Sequence, residues 1–209
     1  MTSVTFDRAR PTLADALVQN RSLATDAALV VAGTAVVAGL AQVSIPLWPV
    51  PITGQTLAVI LVGASLGARR GFASLALYLV LGVAGLPIFA EFTGGPLSVL
   101  KPSFGFIIGM VFTAGLVGWL AERNWDKKFW LAFLGFILAS IVPFLFGVPY
   151  MAIVLGNLGI DNSLANVLAL GVFPFIVGGI VKAAIAAGLL PLAWKGVRAI
   201  DARKDGSAK

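Results

Sequence analysis

From residue 23 onward the chain is a succession of long apolar stretches separated by short segments of proline, glycine or charge. A helix needs about 20 apolar residues to cross the hydrocarbon core of a bilayer, so the pattern predicts membrane-spanning helices. The first stretch, residues 23–43, runs into Ser44-Ile45-Pro46-Leu47-Trp48-Pro49-Val50-Pro51, where three prolines make a continuing helix costly. Residues 55–67 and 72–85 are two short stretches joined by the basic turn Ala68-Arg69-Arg70-Gly71. Residues 103–121 form a fourth, closed by Glu122-Arg123-Asn124-Trp125-Asp126-Lys127-Lys128. Residues 129–147 form a fifth, which Pro143 and Pro149 are expected to bend or end. The sixth, residues 163–194, is too long for one straight crossing. Its 32 residues, at about 1.5 Å each, exceed a core of about 30 Å, and Pro174 is expected to break it.

The stretches predict an all-α, polytopic integral membrane protein of six transmembrane helices. Residues 1–22 would be a cytoplasmic segment, residues 23–194 the membrane domain and residues 195–209 a basic cytoplasmic tail. Three Lys and Arg precede the first span, two lie between the second and third, three between the fourth and fifth, and five follow the sixth. The other three loops hold only Lys101. By the positive-inside rule both termini are then cytoplasmic, and the loops at residues 44–54, 86–102 and 148–162 face outward.

Composition narrows the picture further. The 209 residues are 59% hydrophobic and only 11% charged, with a mean hydropathy of +0.98, against a charged fraction of about 25% in soluble domains. The formal charge of +6 sits between the spans, so it reads as membrane topology and not as a nucleic-acid footprint. Arg8, Arg10 and Arg21 before the first span are accompanied by Asp7, Asp15 and Asp26, unlike the purely basic start of a signal peptide. The absence of cysteine and histidine excludes disulfides, thiolate chemistry, haem ligation and the usual zinc sites, so no metal or cofactor is expected. Without these residues or paired buried carboxylates, an intramembrane enzyme is a poor reading.

Three features carry candidate chemistry. The first outward loop is uncharged, and Trp48-Pro49-Val50-Pro51 is followed by Thr53, Gly54 and Gln55. Its prolines make it stiff and extended, suited either to a lid over a cavity or to anchoring Trp48 at the headgroups. The second outward loop, from Leu86-Pro87-Ile88-Phe89-Ala90-Glu91 to Lys101-Pro102-Ser103-Phe104-Gly105, is punctuated by glycine and proline. Such backbone is either the wall of a binding site or a plain turn, since non-helical chain at membrane depth needs protein or a water-filled cavity around it. Lys182 lies well inside the sixth span, where a central lysine costs about 2.5–3.5 kcal/mol, and Gly178 and Gly179 leave space on its face. Either it meets a carboxylate-bearing ligand, or it snorkels toward the cytoplasmic interface near Trp194. The first span also presents small residues at Ala24, Ala28 and Ala32, extended by Ala35 and Gly39, which suit either docking of another membrane subunit or packing within the bundle.

Pro49-Val50-Pro51-Ile52-Thr53-Gly54-Gln55-Thr56, the run from Leu77 to Phe89 (LYLVLGVAGLPIF) and Pro174-Phe175-Ile176-Val177-Gly178-Gly179-Ile180-Val181-Lys182 together resemble the BioY family. These are the biotin-specific S components of energy-coupling factor (ECF) transporters, and the resemblance extends in order and spacing from Leu23 to Trp194. It implies a six-helix substrate-binding subunit in the cytoplasmic membrane of a prokaryote that captures biotin from outside. The implied partners are a transmembrane coupling subunit of the EcfT or BioN type and ABC ATPases of the EcfA or BioM type. ATP would be hydrolysed by the partners, consistent with the lack of a Gly-x-x-x-x-Gly-Lys-Ser/Thr loop here. The family's small-residue docking motif corresponds to Ala28 and Ala32.

For biotin, with its flat ureido group, apolar ring and tail and carboxylate, the expected roles are these. Trp48 serves as lid; Tyr78, Phe89 and Tyr150 as apolar walls; Thr53, Gln55, Glu91 or Ser103 as ureido contacts; and Lys101 or Lys182 as the cation facing the carboxylate. Two positions depart from the family pattern. Gly179 stands where the family has an aspartate three residues before the lysine, and Lys101 stands where the family tends to glycine. Rival readings are an S component for another vitamin and a self-contained secondary transporter, which would need a relay of intramembrane acids; only Asp26 approaches such a position.

Overall fold

A computed structural model describes residues 12–18 and 22–206, with side chains through residue 203. The charges counted at Asp7, Arg8, Arg10 and Arg21, and the end of the tail at residues 207–209, lie outside the described residues. A short helix α1 (Leu13–Leu17) precedes α2 (Leu23–Ala41), whose start is capped by the Ser22 side chain accepting from the Thr25 backbone N–H. A two-residue hairpin, β1 (Ser44–Ile45) with β2 (Ile52–Thr53), is antiparallel with Ser44 opposite Thr53. The helices α3 (Gln55–Leu66), α4 (Ala68–Val83), α5 (Phe104–Ala121), α6 (Phe129–Ala139), α7 (Val142–Asn157), α8 (Leu164–Gly171) and α9 (Phe173–Gly206) complete the chain.

By length and composition four helical stretches can cross a membrane: Leu23–Ala41, Phe104–Ala121, Phe129–Asn157 and Leu164–Arg203. The second and third expected crossings correspond to the shorter helices α3 and α4, of 12 and 16 residues. Twelve residues rise only about 18 Å. The chain leading into α3 is the paired hairpin, whose ladder hydrogen bonds satisfy backbone that would otherwise be exposed at depth. Gly67, at φ +88°, turns the chain between the two helices, and the Glu122 carboxylate accepts from the Ala68 N–H at 2.8 Å at the start of α4. The basic turn expected between separate spans is therefore the first turn of α4.

The helices break beside Pro143 and Pro174, as expected, whereas Pro149 does not end its helix. The fifth stretch breaks at Ser140–Ile141, ahead of Pro143, which sits in the first turn of α7 where its missing N–H costs nothing. Pro149 lies inside α7, which continues to Asn157, so the third outer connection is much shorter than the residues 148–162 expected of it. The sixth stretch breaks at Val172, just before Pro174, and α9 then runs through Pro191 to residue 206, making much of the expected tail helical.

Helix α5 is the axis of the bundle, packed against α3, α4 and α7. Small residues permit the close approach: a Cβ on Gly63 would lie 2.6 Å from the Ala114 carbonyl, and one on Gly109 2.6 Å from Pro143 Cα. At one end of the bundle Arg70 binds Asp15 at 3.0 Å and Asp26 at 2.7 Å, joining α1, α2 and α4. Asp26 is thus held by a guanidinium, which removes it as the start of an acid relay. Nearby in sequence to the α5–α6 turn, Asp126 is fully buried and its Oδ2 accepts from Trp194 Nε1 of α9 at 2.5 Å.

Candidate ligand-binding site

A cavity of about 400 Å³ opens between the hairpin, the 86–103 loop, α5, α7 and the start of α9. That volume falls within the range of about 300–1,000 Å³ typical of small-molecule sites. Its walls are mostly apolar: Val50, Ile52, Val59, Ile60, Phe89, Phe104, Phe106, Ile107, Met110, Phe144 and Phe175 all face it. Polar groups are few, and among its lining residues the charged ones are Glu91, Lys101 and Lys182. Two cations and one carboxylate around an apolar chamber suit an amphipathic, anionic small molecule.

Eight of the ten residues singled out as ligand contacts line this cavity: Trp48, Thr53, Gln55, Phe89, Glu91, Lys101, Ser103 and Lys182. Trp48 is 62% exposed at the rim, a position open to both lid and anchor. Gln55 is 4% exposed, and its Nε2 has no hydrogen-bond partner among the described residues. A buried amide donor left unpaired beside a cavity is costly unless something in the cavity accepts from it.

Lys182 is held inside the bundle. Its Nζ donates to the Thr53 carbonyl at 2.5 Å and to Thr56 Oγ1 at 2.9 Å, so the ammonium reaches across to the start of α3 and not along α9 toward Trp194. Gly178 and Gly179 also line the cavity, and a Cβ on either would meet nothing within 4 Å. The open space expected beside the ammonium is there. Among the described residues no carboxylate is paired with it; two neutral oxygens take that place.

Tyr78 and Tyr150 do not line the cavity; they stand behind its wall. Tyr78 is fully buried, donates to the Ile88 carbonyl at 3.0 Å and meets the Phe89 ring edge-on at 5.3 Å. Tyr150 donates to the Val99 carbonyl and packs against Phe104. The sequence reading makes both apolar walls of the site. Their hydroxyls instead satisfy loop carbonyls, which fixes the loop that forms the wall.

In the Leu77–Phe89 run Gly85 serves a positive φ of +118°, whereas Gly82 has a packing reason. A Cβ on Gly82 would lie 2.2 Å from the Phe89 ring, so only glycine lets that ring fold back onto α4 and stay 3% exposed. Three further residues were not anticipated from sequence. Ser98, 3% exposed, lines the cavity with an unpartnered hydroxyl. Thr56 shares the Lys182 ammonium with Thr53. Gln42 braces the 88–92 loop from the end of α2. Ser98 and Gln42 carry no periodic or charge signal, whereas Thr56 lies within the motif that carried the resemblance.

The small residues of α2 face outward: Ala24, Ala28, Ala32, Ala35 and Gly39 are all exposed. The buried side of that helix is made by Gly33, Thr34, Val37 and Ala41. Packing within the bundle is therefore not what the small stripe does.

Residues 11–199 match the BioY family. The chain is 36% identical over 155 residues to the biotin transporter BioY of Rhizobium etli, covering 71% of this chain and 80% of that protein. It is 35% identical to the biotin transporter BioY of Thermotoga maritima, covering 77% and 80% respectively. Its fold is similar to the crystal structure of the S component for biotin from an ECF-type ABC transporter. That likeness has a TM-score of 0.64 at 26% identity and covers 84% of this chain and 95% of that one. With the match extending over nearly its whole length, this chain belongs to the BioY family.

Proposed function

We propose that this protein is the biotin-binding S component of an ECF-type ABC transporter, lying in the cytoplasmic membrane of a prokaryote with both termini inside. The carrying observation is a largely apolar cavity whose half-buried cation, Lys182, has neutral oxygens for partners and open space beside it. The valeryl carboxylate of biotin is the anion that Lys182 or the rim cation Lys101 receives. The unpaired Gln55 amide and Ser98 hydroxyl face the ureido group, whose carbonyl and N–H groups offer both acceptor and donors. Thr53, Ser103 and Glu91 remain candidates for the same group, and Trp48 closes the rim.

The proposed spans are the four long helices together with α3 and α4, six in all. The charge bias in Arg69, Arg70, Arg123, Lys127, Lys128, Lys195 and Arg198 supports the orientation. The outward small face at Ala28 and Ala32 is the docking surface for a transmembrane coupling subunit of the EcfT or BioN type, joined to ABC ATPases of the EcfA or BioM type. The protein itself carries out no ATP hydrolysis.

Biotin binding to the purified chain tests the reading first, followed by uptake into vesicles with and without the energising partners. Tight binding with uptake only in the presence of ATPases supports it. A thermal shift with a different vitamin and none with biotin would replace the substrate, and uptake without any ATPase would replace the transporter class.

A further inference from the structure

Gln42 sits one residue past the end of α2 and spans the gap to the loop that walls the cavity. Its Nε2 lies 2.9 Å from the Ala38 carbonyl, 3.2 Å from that of Ile88 and 3.1 Å from that of Phe89. Its Oε1 accepts from the Phe92 N–H at 2.9 Å. One side chain thus binds both ends of the 88–92 segment, which holds Phe89 and Glu91 against the cavity. The segment needs such holding. Glu91 and Phe92 are consecutive non-glycine residues at positive φ, +60° and +54°, a conformation that persists only where surroundings over-determine it. Tyr78 of α4 supplies a second tie, at the same Ile88 carbonyl.

The helix that Gln42 terminates is the same one that presents Ala28, Ala32, Ala35 and Gly39 outward. Its last turn continues directly into the hairpin bearing Trp48, and the Gly54 N–H donates back to the Val43 carbonyl at 2.7 Å. Both outer walls of the cavity are therefore fastened to one end of α2, one by the chain itself and one by the Gln42 amide.

We propose that Gln42 is a positioning residue that couples the cavity wall at Phe89 and Glu91 to α2. Closure of the 88–92 segment on a ligand is thereby transmitted to the helix carrying the exposed small face. A ligand that seats against Phe89 stabilises the segment, and through the amide it stabilises the last turn of α2. A partner gripping α2 acts on ligand retention by the same bonds, since coupling between two sites is reciprocal. The inference rests on the biotin-capture reading for its ligand, but the bracing of the loop stands apart from it.

The test compares the full-length protein with Gln42→Met, which keeps the volume and removes every bond, and Gln42→Glu, which keeps the acceptor for Phe92 and removes the donors. Amide hydrogen exchange is followed in residues 38–43 and 88–93, with and without biotin, alongside the biotin dissociation rate. Without ligand, Gln42→Met is expected to speed exchange in residues 88–93 at least tenfold, and Gln42→Glu at least as much because its carboxylate would face three carbonyl oxygens, with α5 unchanged. Biotin should slow exchange in both segments of the unaltered protein but only in residues 88–93 of Gln42→Met, whose biotin dissociation should be about tenfold faster. Exchange in residues 88–93 that is the same in all three proteins overturns the bracing. Protection by biotin confined to residues 88–93 in the unaltered protein overturns the coupling. If the unaltered protein binds no biotin, the capture reading fails and the coupling to ligand fails with it, while the ligand-free exchange still decides the bracing. Should Gln42→Met not fold, faster exchange of residues 88–93 in Gln42→Glu than in the unaltered protein decides the same point.

Discussion

Lys182 of α9 donates to the carbonyl of Thr53, 129 residues away in the chain, at 2.5 Å. This contact joins the last helix to the hairpin end at the cavity, and Thr56 Oγ1 adds a second acceptor at 2.9 Å. A lysine within an apolar membrane-spanning helix is expensive unless its ammonium is hydrogen-bonded or paired. Here the protein supplies two neutral oxygens and leaves the counter-charge to whatever enters.

Lys182→Ala is expected to weaken biotin binding at least tenfold, about 1.4 kcal/mol. Isothermal titration of the purified protein measures it. Unchanged affinity would remove Lys182 from the ligand site and pass the carboxylate to Lys101.

The glycines at the cavity separate space for ligand from space for packing. Gly179→Leu meets no protein atom near its Cβ, so it should leave thermal stability within about 0.5 kcal/mol while filling the cavity and abolishing binding. Gly82→Ala drives a methyl into the Phe89 ring and should cost about 1–3 kcal/mol, with binding reduced because the wall moves. Melting curves with and without biotin distinguish them. A destabilised Gly179→Leu protein would mean the space is not free.

Ala32→Phe changes only the exposed face of α2. Biotin binding should be retained, while co-purification with the coupling subunit and ATP-dependent uptake are lost. Retained uptake would place docking elsewhere.

Asp126 offers a pH test outside the spans. Burial pushes its carboxyl above the ordinary carboxylate range, against the lowering pull of the Trp194 N–H and the Lys127 ammonium. A raised folded-state pKa means its contribution is fully present below the ordinary carboxylate value and is lost as pH rises through the raised one. Asp126→Asn keeps an acceptor for the indole, so it should match the unaltered protein in acid and exceed its stability near neutrality. Trp194→Phe leaves the buried carboxylate without its donor and should cost about 1–3 kcal/mol. Unfolding in detergent across a pH series reads both, and parallel curves for Asp126→Asn and the unaltered protein would contradict the burial argument.

The expected breaks at prolines show how far local reasoning reaches. Pro143 and Pro174 do sit at helix starts just after breaks, as a residue without an N–H favours. Pro149 and Pro191 lie inside helices instead, where neighbouring helices and local adjustment compensate for a missing donor. Which proline ends a helix therefore depends on packing that is not written in its own neighbourhood.

The sequence alone determined that the chain is helical and membrane-embedded, because hydropathy acts residue by residue and lipid demands internally bonded backbone. Eight of the ten residues it singled out as ligand contacts line the cavity, several of them marked by proline, glycine or a misplaced charge. Only the tertiary structure decided what each does, since hydrogen-bond partners are set by the packing of distant segments. Tyr78 and Tyr150 proved to be struts, Lys182 was drawn to Thr53 and Thr56, and Gln42 was found holding the loop. The outward turn of Ala28 and Ala32 likewise followed from which side of α2 met the bundle, a choice that small residues do not make for themselves.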